Sequence, residues 1–153
     1  MKPIRNSAKA IIIQDGKLLC TKNTDPEGFW YLLPGGGMEP GEAVTDALKR
    51  ECREEISAEI VVGDIRFIRD YIGKNHEFAE YDGDMHQIEF MFSCSLVDGT
   101  KIKNGEVPDS YQVGIEWLPL DRLHEYRLYP KVLISLLSKG CRNDEPVYLG
   151  DVN

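Results

Sequence analysis

Apolar positions along the chain change their period several times, and each change marks an element. Residues 7–13 are β-branched and apolar and read as a strand. Gln14-Asp15-Gly16-Lys17 is a hairpin signal through Asp-Gly, and residues 18–22 return as the second strand. A polar loop over 23–28 leads to a short apolar strand, Phe29-Trp30-Tyr31-Leu32-Leu33, whose aromatics are expected in the core. Pro34-Gly35-Gly36-Gly37 reads as a loop. The period then lengthens. Val44, Ala47, Leu48, Cys52 and Ile56 recur at three- and four-residue spacing, and no Gly or Pro interrupts 42–56. That is an amphipathic helix, entered through the Pro40-Gly41 turn with Glu42 in its first turn.

Beyond the helix, 60–72 reads as a long strand with Gly63-Asp64 as a bulge or a turn. Residues 74–84 form an acidic, glycine-containing loop, long enough to be a candidate functional loop. Residues 87–97 and 113–118 read as strands, with Asp98-Gly99-Thr100 as a turn and a polar stretch over 101–110. Trp117 is expected in the core. Residues 120–126 read as a short helix, and 130–139 as a second, opened by Pro130 and closed by Gly140. The polar tail 141–153 carries one apolar patch, Val147-Tyr148-Leu149, expected to dock on the domain or on a second subunit. The sum is an α/β chain, a mixed sheet with helices on its faces.

The acids of the first helix lie where solvation does not put them. At about 100° per residue, Asp46, Lys49 and Arg53 cluster opposite the apolar stripe. Glu51 is in register with Val44, Ala47 and Glu55, along the edge of the inward face. Glu51 with Glu54 and with Glu55 are like-charge neighbours, which destabilises a bare helix. Partly buried carboxylates need a compensating cation, and Arg50 meets only part of that charge. The spacing suits a hard divalent ion, with waters and substrate phosphate oxygens completing its shell. A surface helix merely rich in Glu is the alternative.

Composition narrows the classes. At 153 residues one domain, 1–153, is expected, with 26 acids against 18 bases. That balance argues against binding a nucleic-acid polymer, but not against a small anionic substrate met by metal ions. Cys20, Cys52, Cys94 and Cys141 form no C-x-x-C pair, so a zinc site is not expected. The first three sit in apolar contexts and read as reduced core residues. No signal peptide or membrane span is legible, which leads to a cytoplasmic expectation.

The string from Gly36 to Ala58 resembles the box of the Nudix hydrolase (MutT-type) family, Gly-x5-Glu-x7-Arg-Glu-U-x-Glu-Glu-x-Gly-U with U a bulky aliphatic. Gly36, Glu42, Arg50, Glu51, Glu54 and Glu55 match at the right offsets. Cys52 and Ala58 replace aliphatic residues. Ser57 replaces the second glycine, at a position where a left-handed cap favours Gly. The resemblance implies an α/β/α Nudix sandwich with its core over about 4–139, the box at 36–58 and the tail beyond.

It also implies hydrolysis of the diphosphate linkage in a nucleoside diphosphate joined to another moiety, with Mg²⁺ or Mn²⁺ as cofactor. Metal ligands are then Glu51, Glu54, Glu55 and the Gly36 carbonyl. Glu54, Glu55 and Arg50 are the catalytic set, with Glu42 steadying the loop-helix junction. The general base is Glu54 or an acid outside the box, with Glu77, Glu80, Asp82, Asp84, Glu89, Glu106 and Asp109 as candidates. Lys22, Glu89 and Tyr81 are expected at the substrate, a small nucleotide derivative, in a monomer or homodimer acting without a membrane. Two other classes stay open: a nucleotide sensor without turnover, and an isoprenoid diphosphate isomerase using a reactive cysteine.

Overall fold

The computed structural model describes residues 2–139 and 144–153. In chain order the elements are β1 (Arg5–Gln14), β2 (Lys17–Asp25), β3 (Gly28–Leu32), β4 (Gly35–Gly37), α1 (Val44–Ile56), β5 (Ile60–Ile72), α2 (Ala79–Asp82), β6 (His86–Leu96), β7 (Gln112–Pro119), β8 (Leu128–Tyr129), α3 (Val132–Ser138) and β9 (Tyr148–Asp151). Tight 3-10 turns occupy Gly73–Asn75 and Leu120–Glu125.

The strands run β8-β3-β2-β1-β6-β5-β9, with β4 on β1 and β7 on β2. The first hairpin forms as the Asp-Gly pair predicts: Asp15 and Gly16 take φ of 52° and 73°, and Gln14 pairs with Lys17. β1 pairs in parallel with β6 over most of its length and antiparallel with β2 only at its end. β5 skips register between Val62 and Ile65, at the expected bulge.

The period-2 alternation of β1 divides the core. Ala8, Ala10 and Ile12 pack with Leu48, Cys52 and Ile56 of α1. Ile11 packs on the opposite side with Leu133 and Leu137 of α3. The sheet therefore lies between α1 and α3, the mixed α/β/α arrangement expected. Trp117 packs at the edge of the α1 cluster.

Four expectations change. Gly35–Gly37 is a strand, not a loop, because glycine lets its backbone approach β1: a Cβ on Gly35, at φ 135°, would lie 2.1 Å from the Ala8 carbonyl oxygen. The helix begins at Val44, so Glu42 precedes it. The 74–84 loop is partly ordered into the Gly73–Asn75 turn and α2. The tail carries a strand that no sequence signal gave: β9 pairs in parallel with β5, Ile68 with Tyr148 and Asp70 with Asp151, and the 147–149 patch thereby docks on the domain, one of the two expectations for it. Gly140 and Cys141 lie outside the described residues.

Candidate active site

The end of α1 stands against β4, and glycine makes that approach possible. A Cβ on Gly36 would lie 2.6 Å from the Glu51 carboxylate. Glu55 is 2 % exposed and accepts the Gly35 N–H at 3.3 Å through Oε2. Its Oε1 is buried with no hydrogen-bond partner. Glu54 is the most open of the three, with its side chain 36 % exposed against 15 % for Glu51. The helical phase read from the sequence thus places Glu51 and Glu55 inward, while Asp46 and Arg53 are exposed.

Arg50 ties the acids together. Its Nε and Nη2 donate to Glu42 at 2.6 and 3.0 Å, and Nη2 also reaches the Gly37 carbonyl at 3.0 Å. Nη1 donates to Glu51 at 3.1 Å and Glu54 at 3.2 Å. Glu42 also accepts the Glu39 N–H, so it braces the entry turn rather than capping the helix. With Arg50 and that N–H against it, its carboxyl is held down to about 2. Ser57 takes the left-handed position at φ 54°, its N–H on the Arg53 carbonyl and the Ala58 N–H on that of Cys52. The exit turn forms without glycine, at a strain of roughly 1–2 kcal/mol.

The buried acids are short of positive charge. Desolvation raises the Glu55 carboxyl to about 8. Lys9 opposes that rise, and Asp109 adds to it. Lys9 is itself buried, its ammonium on the Leu33 and Gly35 carbonyls at 3.5 and 3.2 Å. Desolvation also raises Glu51, against the pull of Arg50.

Among the described residues no three acidic, imidazole or thiol groups converge closely enough to hold a metal ion as they stand. Arg50 occupies the space between Glu51 and Glu54. The donor set nevertheless fits a hard divalent cation. It offers oxygen only, with an unpartnered buried Glu55 oxygen and the Gly36 carbonyl, which accepts the Ser7 hydroxyl at 3.0 Å.

A cavity of about 430 Å³ opens from Gly35 and Gly36 toward β5 and β6. Trp30, Phe78 and Tyr129 line it, with Tyr129 edge-on to both other rings at 6.4 and 5.4 Å. Tyr81 and Glu89 line it, and Glu89 is fully paired: Arg69 Nε donates to it at 2.5 Å and Gln87 Nε2 at 3.0 Å. Lys22 stands away from the lining, paired with Glu116 at 3.4 Å and lying over the Phe29 ring. The core expectation for 29–33 holds for Tyr31 and Leu33. It fails for Trp30, which lies with Leu32 on the face of β3 that opens on the cavity, and for Phe29, half exposed on the other face under the Lys22 ammonium.

Of the acids outside the box, Asp82 and Asp109 line the cavity with Glu89. Asp82 accepts the Tyr71 hydroxyl, while Glu77 pairs with Lys131 and Asp84 with Lys2. Sequence reasoning missed Lys9, Arg69, Arg127 and Asn153. Lys9 alone carried a signal, a charge between two alanines in an apolar strand.

Comparison with known proteins settles the kinship. The family model described as the NUDIX domain matches residues 3–136. The chain belongs to the Nudix family. A nucleoside triphosphatase NudI from Salmonella agona is 30 % identical over 135 residues, covering 85 % of this chain and 92 % of that protein. Among solved structures, an ADP-ribose pyrophosphatase from Streptococcus suis superposes with a TM-score of 0.67 at 22 % identity, covering 97 % and 100 % of the two chains. An Ap4A hydrolase from C. elegans does so at 0.65 and 18 %, covering 89 % and 94 %. Those two likenesses establish the fold.

As a Nudix hydrolase this chain is a nucleotide pyrophosphohydrolase, acting on phosphoric anhydrides. Nudix hydrolases generally need a divalent metal. The isomerase alternative finds no support in the described thiols. Cys20, Cys52 and Cys94 are buried, and burial pushes all three up, Cys94 to about 11. Among the described residues no helix is long and apolar enough to cross a membrane.

Proposed function

We propose that this protein, as one domain over 1–153 in a reducing cytoplasm, hydrolyses the diphosphate linkage of a nucleoside diphosphate joined to another moiety, with Mg²⁺ or Mn²⁺. The observation that carries this reading is the buried, unpartnered oxygen of Glu55, whose other oxygen holds the Gly35 N–H, with Glu51 against Gly36 and both glycines lining an aromatic-walled cavity. Glu51, Glu54, Glu55 and the Gly36 carbonyl would hold the ion. When bound, it neutralises charge on phosphate oxygens and lowers the pKa of water. Glu54, the most open carboxylate, accepts the proton of the attacking water. Arg50 sets the direction of Glu51 and Glu54 from its anchor on Glu42. The products are a nucleoside monophosphate and a second phosphate-bearing fragment. The likeness to the NudI nucleoside triphosphatase puts nucleoside triphosphates, in which that second moiety is phosphate, first among the compounds to try.

The test is Glu54→Gln, assayed with Mg²⁺ and with Mn²⁺ against nucleoside triphosphates, ADP-ribose, nucleotide sugars, dinucleoside polyphosphates and coenzyme A. Turnover by the wild type and a loss on the order of 10³-fold in kcat, with an unchanged melting temperature, is expected. Near-wild-type hydrolysis by the variant sinks the assignment. Tight binding with no cleavage of any compound favours the sensor reading.

A further inference from the structure

The cavity lining includes one residue that the family match does not reach, Asn153. Strand β9 begins twelve positions beyond residue 136. It is fastened to β5 at several points. The Ile68 N–H donates to the Val147 carbonyl at 2.8 Å and the Val152 N–H to the Asp70 carbonyl at 3.3 Å. The Asp151 carboxylate meets the Ile72 N–H at 2.9 Å, Asn75 Nδ2 at 2.7 Å and His76 Nε2 at 2.6 Å. The residues after β9 are thereby held beside the cavity, where Asn153 joins the lining.

Two buried ions then dictate which way the neighbouring amides face. Arg69 and Glu89 are each 5 % exposed and pair with one another. A carboxylate only accepts, so Gln87 turns its NH₂ to Glu89, at 3.0 Å, which fixes its carbonyl oxygen on the other branch of the amide as an acceptor. A guanidinium only donates. Arg69 Nη1 gives one N–H to the Val152 carbonyl at 2.5 Å and one to Asn153 Oδ1 at 3.4 Å. That contact leaves Asn153 its NH₂. The end of the cavity therefore presents one oriented acceptor, Gln87 Oε1, and one oriented donor, Asn153 Nδ2, beyond a set of aromatic rings.

We propose that Gln87 and Asn153 are specificity-determining residues that read the hydrogen-bonding edge of a nucleobase, with Arg69 and Glu89 as positioning residues that fix the two amides. A base has the matching character: a flat face for Trp30, Phe78 and Tyr129, and an edge carrying both a donor and an acceptor. An apolar moiety would leave both amides unpaired, and a site built for hydrogen bonds discriminates strongly against that. The inference rests on the hydrolase reading above. It adds that discrimination between bases depends on a segment next to β9.

The experiment uses the full chain with ATP, GTP, CTP, UTP and ADP-ribose as probes. Asn153→Asp keeps an oxygen for Arg69 and removes the donor; Asn153→Ala removes both. For the best wild-type substrate, each variant is expected to raise KM by roughly 10- to 100-fold, the effect of leaving a buried polar group unpaired. The order of preference among the four bases is expected to change, while kcat falls far less and the melting temperature holds. A purely structural role for Asn153 would lower all substrates together, leave the order intact and overturn the proposal. An unchanged KM and order overturn it as well. Wild-type hydrolysis of any probe keeps the hydrolase reading standing in either case, so the two fail separately. Should Asn153→Ala lose its fold, Asn153→Asp with its melting curve still decides.

Discussion

The two ends of the cavity solve the burial of charge in opposite ways. At the α1 end, Glu51 stands against Gly36 and Glu55 against Gly35, Arg50 bridges Glu51 and Glu54, Lys9 acts on Glu55, and a buried Glu55 oxygen is left over. At the far end, Arg69 and Glu89 pair with one another, and both Glu89 oxygens have partners. The first arrangement is incomplete without another cation. The second balances its charge within the pair and uses it to orient two neutral amides. The first end suits chemistry on phosphate, which needs strong fields. The second suits recognition, where an unpaired charge would bind indiscriminately.

The strongest way to break that contrast is at Glu55. With its carboxyl raised to about 8 from an ordinary 4.5, the folded, metal-free protein holds a proton that the unfolded chain has released. The unfolded state binds fewer protons between those values, so stability falls as pH rises from about 4.5 to 8 and is level beyond. The slope approaches about 1.4 kcal/mol per pH unit. Glu55→Gln removes the penalty. In chelator at pH 8 the variant is expected to melt higher than the wild type, and near pH 5 the two converge. Added Mg²⁺ or Mn²⁺ stabilises the wild type alone, and hydrolysis by the variant falls roughly 10²–10³-fold. Melting curves across pH, with and without metal, check all three. A wild type that is more stable than Glu55→Gln at pH 8 in chelator would mean that the α1 end is not short of charge.

A smaller effect is expected at Arg50. The guanidinium spans Glu42, the Gly37 carbonyl, Glu51 and Glu54 through three nitrogens. Lysine keeps the charge and cannot span them. Arg50→Lys should cut kcat by roughly 10- to 100-fold, the range seen when a group that orients metal ligands is lost. KM should move little, because Arg50 does not line the cavity. A dominant KM effect would place it at the substrate instead.

The same contrast explains what could be read from the chain alone. The α1 end lies within 36–58, where helical phase relates Glu51, Glu54 and Glu55 to one another and to the apolar stripe. Local geometry suffices there, and the inward phase of Glu51 and Glu55 was legible. So were the Asp15-Gly16 hairpin and the β5 bulge, each a local signal. The far end joins Gln87 and Glu89 to Arg69 and to Asn153, 84 positions from Arg69. No spacing rule links residues so far apart. Glu89 looked like a free acid because its partner, on the neighbouring strand β5, carried no periodic signal. Trp30 looked like core because an apolar run gives no hint of which face meets a cavity. Gly35–Gly37 looked like a loop because glycine signals freedom, whereas here it serves close packing on β1.

The smallest expected effect is at the thiols, and its absence is informative. Cys20, Cys52 and Cys94 are buried on the two faces of the sheet, Cys52 and Cys94 in the α1 cluster and Cys20 in the other. Burial pushes each thiol up, so none offers thiolate near neutral pH. Iodoacetamide on the folded protein at pH 7.5 (roughly one unit below a free thiol) should therefore leave these three unlabelled by mass spectrometry. Hydrolysis should be unchanged within error. Labelling of Cys52 with loss of activity would mean that α1 opens from the sheet in solution, and the carboxylates it carries would then be far less fixed than Arg50 and Gly36 make them.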